Sequence, residues 1–286
     1  MERIAIVGAG TMGQGIAYVA AVAGFSVSVT DAAPDSLARG MEAIRGSLRG
    51  GVDRGKLAPD AHDAALARIA PHSSLSDAVD DASIVIEAVP EDMELKREVF
   101  AETEASAPAT ALLATNTSAL SVTEVASAVG DPGRVVGLHF FNPVHAMKLV
   151  EIVRGRMTTD ATLERAAAFA TALGKTAIIV RDTPGFATSR LGIVLGLEAM
   201  RMVEQGVASA ADIDTAMQLG YNHPVGPLRL TDLVGLDVRL AIASHLHATL
   251  GDDTYAAPEL LRRLVAEGKL GKKTGEGFYK WPGEDR

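Results

Sequence analysis

Apolar residues first gather in short runs of strand length, at Ile4 to Val7, Ser26 to Thr30, Ile84 to Val89, Ala111 to Ala114, Val135 to Leu138 and Thr176 to Val180. Segments with helical spacing lie between them. That alternation predicts βαβ units and a parallel sheet. Between the second run and Ile69, the stretch Pro34 to Arg68 predicts two helices parted by Gly50, Gly51, Gly55 and Pro59, a helical hairpin inserted into the sheet fold. After Arg181 the strand-like runs vanish, and long helical stretches follow, broken at Gly206, at Gly220 to Pro227 and at Gly251. An all-helical second domain is expected. Asp182-Thr183-Pro184 offers an N-cap residue and a proline suited to a helix's first turn, which sets the domains at 1–182 and 183–286.

With 48% hydrophobic and 22% charged residues in 286, the chain can bury a core and is not expected to be disordered. Lys and Arg number 27 against 36 acids, a net charge of −9, which argues against nucleic acid or an anionic membrane as a general partner. There is no cysteine, which removes disulfides, thiolate zinc sites and cysteine nucleophiles and fits a reducing, cytoplasmic compartment. The apolar start, Met1 to Phe25, is not read as a signal peptide, because Glu2 offsets Arg3 and glycines 8, 10, 13 and 15 interrupt it. No apolar run reaches the roughly 18 residues a membrane span needs.

The first strand-like run leads directly into Gly8-Ala9-Gly10-Thr11-Met12-Gly13 and then an apolar helical stretch, so G-x-G-x-x-G stands between strand and helix. Gly8 permits the tight turn, Gly10 lets backbone approach a pyrophosphate, and Gly13 allows close packing of helix on strand. The helix N-terminus is then an anion site. Asp31 closes the second run, 23 residues after Gly8. Its carboxylate suits the ribose hydroxyls of an adenosine and repels a 2′-phosphate, favouring NAD over NADP. The class is α/β, an N-terminal Rossmann-type doubly wound sheet with the hairpin insertion, plus an all-α C-terminal domain. FAD shares the fingerprint and stays open at this point.

Polar residues follow later runs, where an open α/β sheet places its chemistry: Asn116-Thr117-Ser118, then His139-Phe140-Phe141-Asn142-Pro143, then Glu151. A neutral imidazole oriented by a carboxylate can take the proton of a substrate hydroxyl while hydride leaves the same carbon for nicotinamide. Ser118 and Asn142 could position the oxygen and the carboxamide. From the residues alone, His139 could equally be a hydrogen-bonded structural histidine.

These segments, with Asp182-Thr-Pro-Gly-Phe and Gly271-Lys-Lys-Thr-Gly-Glu-Gly-Phe-Tyr, resemble the L-3-hydroxyacyl-CoA dehydrogenases from residue 3 to residue 281. The resemblance implies His139 as general base, Glu151 as its orienting acid, Ser118 in contact with both substrate oxygen and cofactor, and Asn142 near the nicotinamide. It places further cofactor contacts on Glu91, Lys96 and Lys273. For Glu91 and Lys96 the residues alone also permit the opening of an exposed helix, and for Lys272 and Lys273 a solvated loop pair. The family grips the CoA nucleotide through a serine and a lysine seven residues apart, which fall on Ser47 and Arg54, with Arg49 and Lys56 adding local charge. Arginine there keeps the positive charge and adds bidentate phosphate geometry.

One position departs from the family: its asparagine in D-T-P-G-F-x-x-N-R is Ser189 here, a shorter, single-hydroxyl substrate contact. The resemblance implies NAD-dependent, reversible oxidation of (S)-3-hydroxyacyl-CoA, short-chain such as 3-hydroxybutyryl-CoA, in a homodimer joined through the C-terminal domain. The alternatives are a related dehydrogenase of free hydroxy or sugar acids and a non-catalytic NAD(H)-binding protein. His145, His223, His245 and His247 are scattered, and no metal is expected. Trp281 is expected to pack the C-terminal tail.

Overall fold

A computed structural model describes residues 2–281, and the chain divides after Thr183 into two compact units. The first contains eight strands in one sheet: β1 (Arg3–Val7), β2 (Ser26–Thr30), β3 (Ile69–His72), β4 (Ile84–Glu87), β5 (Leu112–Thr115), β6 (Val135–Phe140), β7 (Leu149–Arg154) and β8 (Thr176–Arg181). Their order is β3-β2-β1-β4-β5-β6-β7-β8. The central strands are buried on both faces, β4, β5 and β6 throughout, which is why they stand out as near-continuous apolar runs. The connecting helices are α1 (Thr11–Val22), α2 (Pro34–Asp53), α3 (Pro59–Leu66), α4 (Leu75–Val79), α5 (Met93–Ser106), α6 (Val122–Ala126) and α7 (Asp160–Ala172). A doubly wound, mostly parallel sheet results, with its switch point between β1 and β4.

Three local expectations are corrected. The sheet has two further strands, β3 and β7, and β7 runs antiparallel to β6. Glu151 therefore lies within a strand and not beyond its end. In β7 the carboxylate at the third position masks the apolar pattern of Leu149, Val150, Ile152 and Val153. The hairpin is also differently divided, because α2 runs unbroken through Gly50 and Gly51 to Asp53. Met41, Ile44, Leu48 and Gly51 share its buried face, and a Cβ on Gly51 would stand 3.1 Å from the Tyr18 hydroxyl on α1. Gly51 is thus a point of close helix approach and not a break.

Asp182 caps a different helix from the one expected. Its carboxylate accepts hydrogen bonds from the Ser121 hydroxyl (2.8 Å) and from the Val122 and Thr123 amides (3.1 and 2.7 Å), satisfying the first turn of α6.

The second unit has α8 (Thr188–Glu204), α9 (Ala210–Tyr221), α10 (Pro227–Val234), α11 (Leu236–Leu250) and α12 (Glu259–Ala266), and no strand among its described residues. α8 starts at Thr188 behind Gly185 and Phe186, both at positive φ. Ile193, Leu197, Met200, Leu228, Leu236 and Leu246 form the centre of its core. The tail is clasped by two buried aspartates. Asp232 accepts from the Phe278 and Tyr279 amides and the Trp281 indole at 2.8 to 2.9 Å. Asp214 accepts from the Leu228 and Arg229 amides and the Tyr279 hydroxyl. Trp281 packs the tail as expected, with the Arg229 guanidinium 4.6 Å over its ring.

Candidate active site

A cavity of about 870 Å³ opens at the carboxyl ends of β1, β2 and β4, lined by Gly8 through Met12, Asp31 and Ala88 to Pro90 among others. Gly8 sits at φ +105°, and a Cβ there would stand 2.7 Å from the Ala88 carbonyl oxygen, so only glycine makes this turn without strain. A Cβ on Gly13 would overlap the Gly8 carbonyl at 1.8 Å, whereas Gly10 has nothing within 4 Å and faces open space. The α1 N-terminus has no side-chain cap, so its amides remain available to a phosphate. Asp31 accepts the Ala9 amide on Oδ2 (2.9 Å) and the Ala33 amide on Oδ1 (3.0 Å), which ties the glycine turn to the end of β2. Each oxygen retains a lone pair for a ribose hydroxyl. These residues fit a dinucleotide, and Thr11 and Met12 line the same wall.

Farther along the same sheet, β6 and β7 bring His139 and Glu151 opposite one another in antiparallel register. His139 Nδ1 lies 2.7 Å from Glu151 Oε2, and both side chains are buried. A carboxylate there accepts a hydrogen bond from Nδ1–H, the tautomer whose basic lone pair is on Nε2. The Phe141 ring lies against the imidazole at a centroid distance of 4.4 Å. Asn116 Oδ1 accepts the Phe140 amide at 2.9 Å, fastening the loop after β5 to the end of β6. Asn142 lies exposed in the turn after β6, next to a cis bond to Pro143.

The loop carrying Ser118 is gathered by one carboxylate. Glu91 Oε1 accepts from the Thr117 hydroxyl (2.6 Å), the Ser118 amide (2.9 Å), the Ser118 hydroxyl (3.3 Å) and the Ala119 amide (3.2 Å). Behind it, Lys96 is 1% exposed, which removes the alternative of a solvated charge at a helix opening. Its ammonium reaches Glu87 Oε1 at 2.7 Å, Glu91 Oε2 at 3.4 Å and the Val89 carbonyl at 3.4 Å. Burial pushes the Glu87 carboxyl above its ordinary value against the pull of Lys96 and Thr115. Burial acts the same way on Glu91, but there Lys96 and the bonds from Thr117 and Ser118 outweigh it and hold the carboxyl low. Glu87 escapes the sequence because it closes an apolar strand and resembles a strand end.

Ser47 and Arg54 are both exposed, on and just after the last turns of α2. They have company the sequence does not reveal. His145 is held below its ordinary value by burial and by the charges of Arg54, Lys56 and Lys175, and its ring meets Tyr18 edge-on at 5.8 Å. Lys175 donates to the Val144 and Met147 carbonyls of the same turn. Four basic groups thus converge beside the insertion, and His145 and Lys175 had no signal of their own.

In the second unit, Ser189 stands in the first turn of α8, half-buried. Lys273 lies in a short 3-10 turn and pairs with Asp237 of α11 at 2.6 Å.

Residues 3–183 match the family described as 3-hydroxyacyl-CoA dehydrogenase, NAD binding domain, and residues 185–281 match its C-terminal domain. A probable 3-hydroxybutyryl-CoA dehydrogenase of Bacillus subtilis is 42% identical over 281 residues, covering 98% of each chain. The human mitochondrial hydroxyacyl-coenzyme A dehydrogenase is 40% identical over 288 residues, 98% of this chain and 91% of that one. The crystal structure of (S)-3-hydroxybutyryl-CoA dehydrogenase from Ralstonia eutropha has a TM-score of 0.94 at 38% identity, covering 99% of this chain and 100% of the other. With both domain models matched end to end and relatives at about 40% identity over nearly the full length, the chain belongs to the 3-hydroxyacyl-CoA dehydrogenase family.

Proposed function

We propose that this protein catalyses the NAD-dependent, reversible oxidation of (S)-3-hydroxyacyl-CoA to 3-oxoacyl-CoA, with short chains such as 3-hydroxybutyryl as substrates. The observation that carries it is the buried His139–Glu151 pair, set in the same sheet as a cavity suited to a dinucleotide. When bound, NAD supplies the hydride acceptor. His139 takes the hydroxyl proton at Nε2, and Glu151, already hydrogen-bonded at Nδ1, stabilises the imidazolium that forms. In the reverse direction the imidazolium returns that proton to the reduced carbonyl oxygen.

Ser118 orients the substrate oxygen, held in place by Glu91, while Lys96 serves from behind as the charge that keeps Glu91 ionised. Asn142 and Lys273 are cofactor contacts in this scheme, and Ser189 a substrate contact. Ser47, Arg54, His145 and Lys175 offer hydrogen bonds and positive charge to the phosphates of CoA, which favours a CoA ester over a free hydroxy acid. Two copies are proposed to join through the helical unit, where Leu191, Leu219 and Tyr221 stand 72 to 83% exposed. A reducing, cytoplasmic setting is expected for a cysteine-free enzyme.

The test is NADH oxidation, followed by absorbance, with acetoacetyl-CoA, with free acetoacetate, and with NADPH in place of NADH. Turnover confined to NADH and the thioester is expected. Tight NADH binding without turnover of any CoA ester would refute the assignment.

A further inference from the structure

The cavity at the carboxyl ends of β1, β2 and β4 continues past the groups assigned so far. A pyrophosphate fits at the α1 N-terminus and a ribose at Asp31. The base of the dinucleotide then falls in the part lined by Arg39 of α2, Ser73 and Ser74 after β3, and Leu95, Val99 and Glu102 of α5. All of these residues belong to the first unit.

Leu95, Val99 and Glu102 follow the i, i+4, i+7 spacing of one helix face, so α5 turns two apolar residues and one carboxylate into the same compartment. Glu102 accepts no hydrogen bond and forms no ion pair among the described residues. Glu98, one turn before it, carries the same charge, which costs helix stability instead of adding to it. The stability of α5 therefore does not account for this carboxylate. Its neighbours differ from it in hydrogen-bonding character. The serine hydroxyls donate and accept alike, and Arg39, whose Nη2 donates to Ser36 Oγ at 3.0 Å, only donates. Among the described side chains at this end of the cavity, only the Glu102 carboxylate is purely an acceptor. Its complement is a base edge that presents a donor. Adenine does so through its exocyclic amine, whereas hypoxanthine carries a carbonyl oxygen at the same ring position.

We propose, on the footing of the NAD-dependent oxidation above, that Glu102 determines specificity for the base of the cofactor. Its carboxylate accepts a hydrogen bond from the exocyclic amine of adenine and opposes a base with oxygen in that place.

Fluorescence titration of the full-length protein with NADH and with reduced nicotinamide hypoxanthine dinucleotide tests this. The two carry the same charge and differ only in the base, so any long-range effect of Glu102 on the pyrophosphate cancels in the ratio of their dissociation constants. NADH is expected to bind about three- to tenfold tighter. Glu102→Gln, whose amide donates as well as accepts, should bring the ratio close to one, and Glu102→Lys, which only donates, should invert it. Glu102 is exposed and unpaired, so both variants are expected to fold. Equal affinities in the unmodified protein, or a preference unchanged in both variants, would overturn the proposal. Acetoacetyl-CoA reduction by NADH is measured alongside. Its absence beside an intact, Glu102-dependent ratio would overturn the oxidation and leave the base assignment standing.

Discussion

His139 and Glu151 face each other directly across the β6–β7 ladder, Nδ1 to Oε2 at 2.7 Å, with neither side chain open to bulk solvent. The antiparallel register sets the two residues opposite one another. His139→Gln is expected to lower turnover of acetoacetyl-CoA by about 10²–10⁴-fold while leaving the NADH dissociation constant nearly unchanged. Glu151→Gln should retain the ring's position but lose the imidazolium's counter-charge, lowering kcat with little effect on KM. Stopped-flow NADH binding and steady-state rates separate the two effects, and unchanged turnover in His139→Gln would remove the histidine from the chemistry.

Lys96 supports the Ser118 loop through buried charge. Removing it in Lys96→Met strands Glu87 and is expected to destabilise the fold by about 3–5 kcal/mol, whereas adding Glu87→Gln should restore part of the loss. Denaturant unfolding of the single and double variants measures this. Glu91→Gln should speed hydrogen exchange at the Ser118 and Ala119 amides, which its carboxylate now holds. Because the folded Glu91 carboxyl lies below its ordinary value, its contribution is present above that value and is lost as pH falls through the folded one.

His145 gives the CoA assignment a proton signature. In the free protein, burial and then Arg54, Lys56 and Lys175 keep it below its ordinary value, so it is neutral near pH 7. A phosphate settling among these cations would cancel their field and raise the histidine, so CoA binding should take up a proton and tighten as pH falls from about 7.5 to 6. Calorimetry in two buffers of different ionisation enthalpy reads that uptake directly. Identical heats in both would place His145 outside the CoA site. Arg54→Ala should raise KM for the thioester several-fold with a smaller change in kcat.

Tyr279 should govern alkaline stability of the helical unit. Burial first, then its bond to Asp214, raises the phenol well above its ordinary value. Its contribution is therefore complete below the unfolded value of about 10 and is lost as pH rises through and beyond it. Tyr279→Phe should flatten that alkaline slope and cost about 1–3 kcal/mol at neutral pH, since Asp214 loses a donor. Unfolding curves from pH 7 upward compare the two proteins.

Asp31 should set cofactor choice. Asp31→Asn removes the charge that repels a 2′-phosphate, so the ratio of kcat/KM for NADH over NADPH is expected to fall by at least about tenfold. A ratio that stays put would assign the discrimination to another wall of the cavity.

The amino-acid sequence by itself determined the α/β class, the glycine turn before α1, Asp31 at the end of β2 and the change to helices after β8. Each rests on local chemistry, since a doubly buried strand must be apolar throughout and Gly8 must adopt a positive φ. Local signals misplaced whatever depended on a distant neighbour. Gly50 and Gly51 looked like a break because nothing near them in sequence shows that Tyr18 of α1 lies against Gly51. Glu151 looked like a strand end because its partner His139 lies twelve residues away across an antiparallel ladder. Asp182 looked like the cap of α8 and instead satisfies α6, about sixty residues earlier. For Lys96 the local pattern left a solvated helix charge open as an alternative, and tertiary packing buried it between two carboxylates. Charge and hydrogen-bond partners act through space, so the tertiary structure alone decided which polar residues meet and which stay ionised.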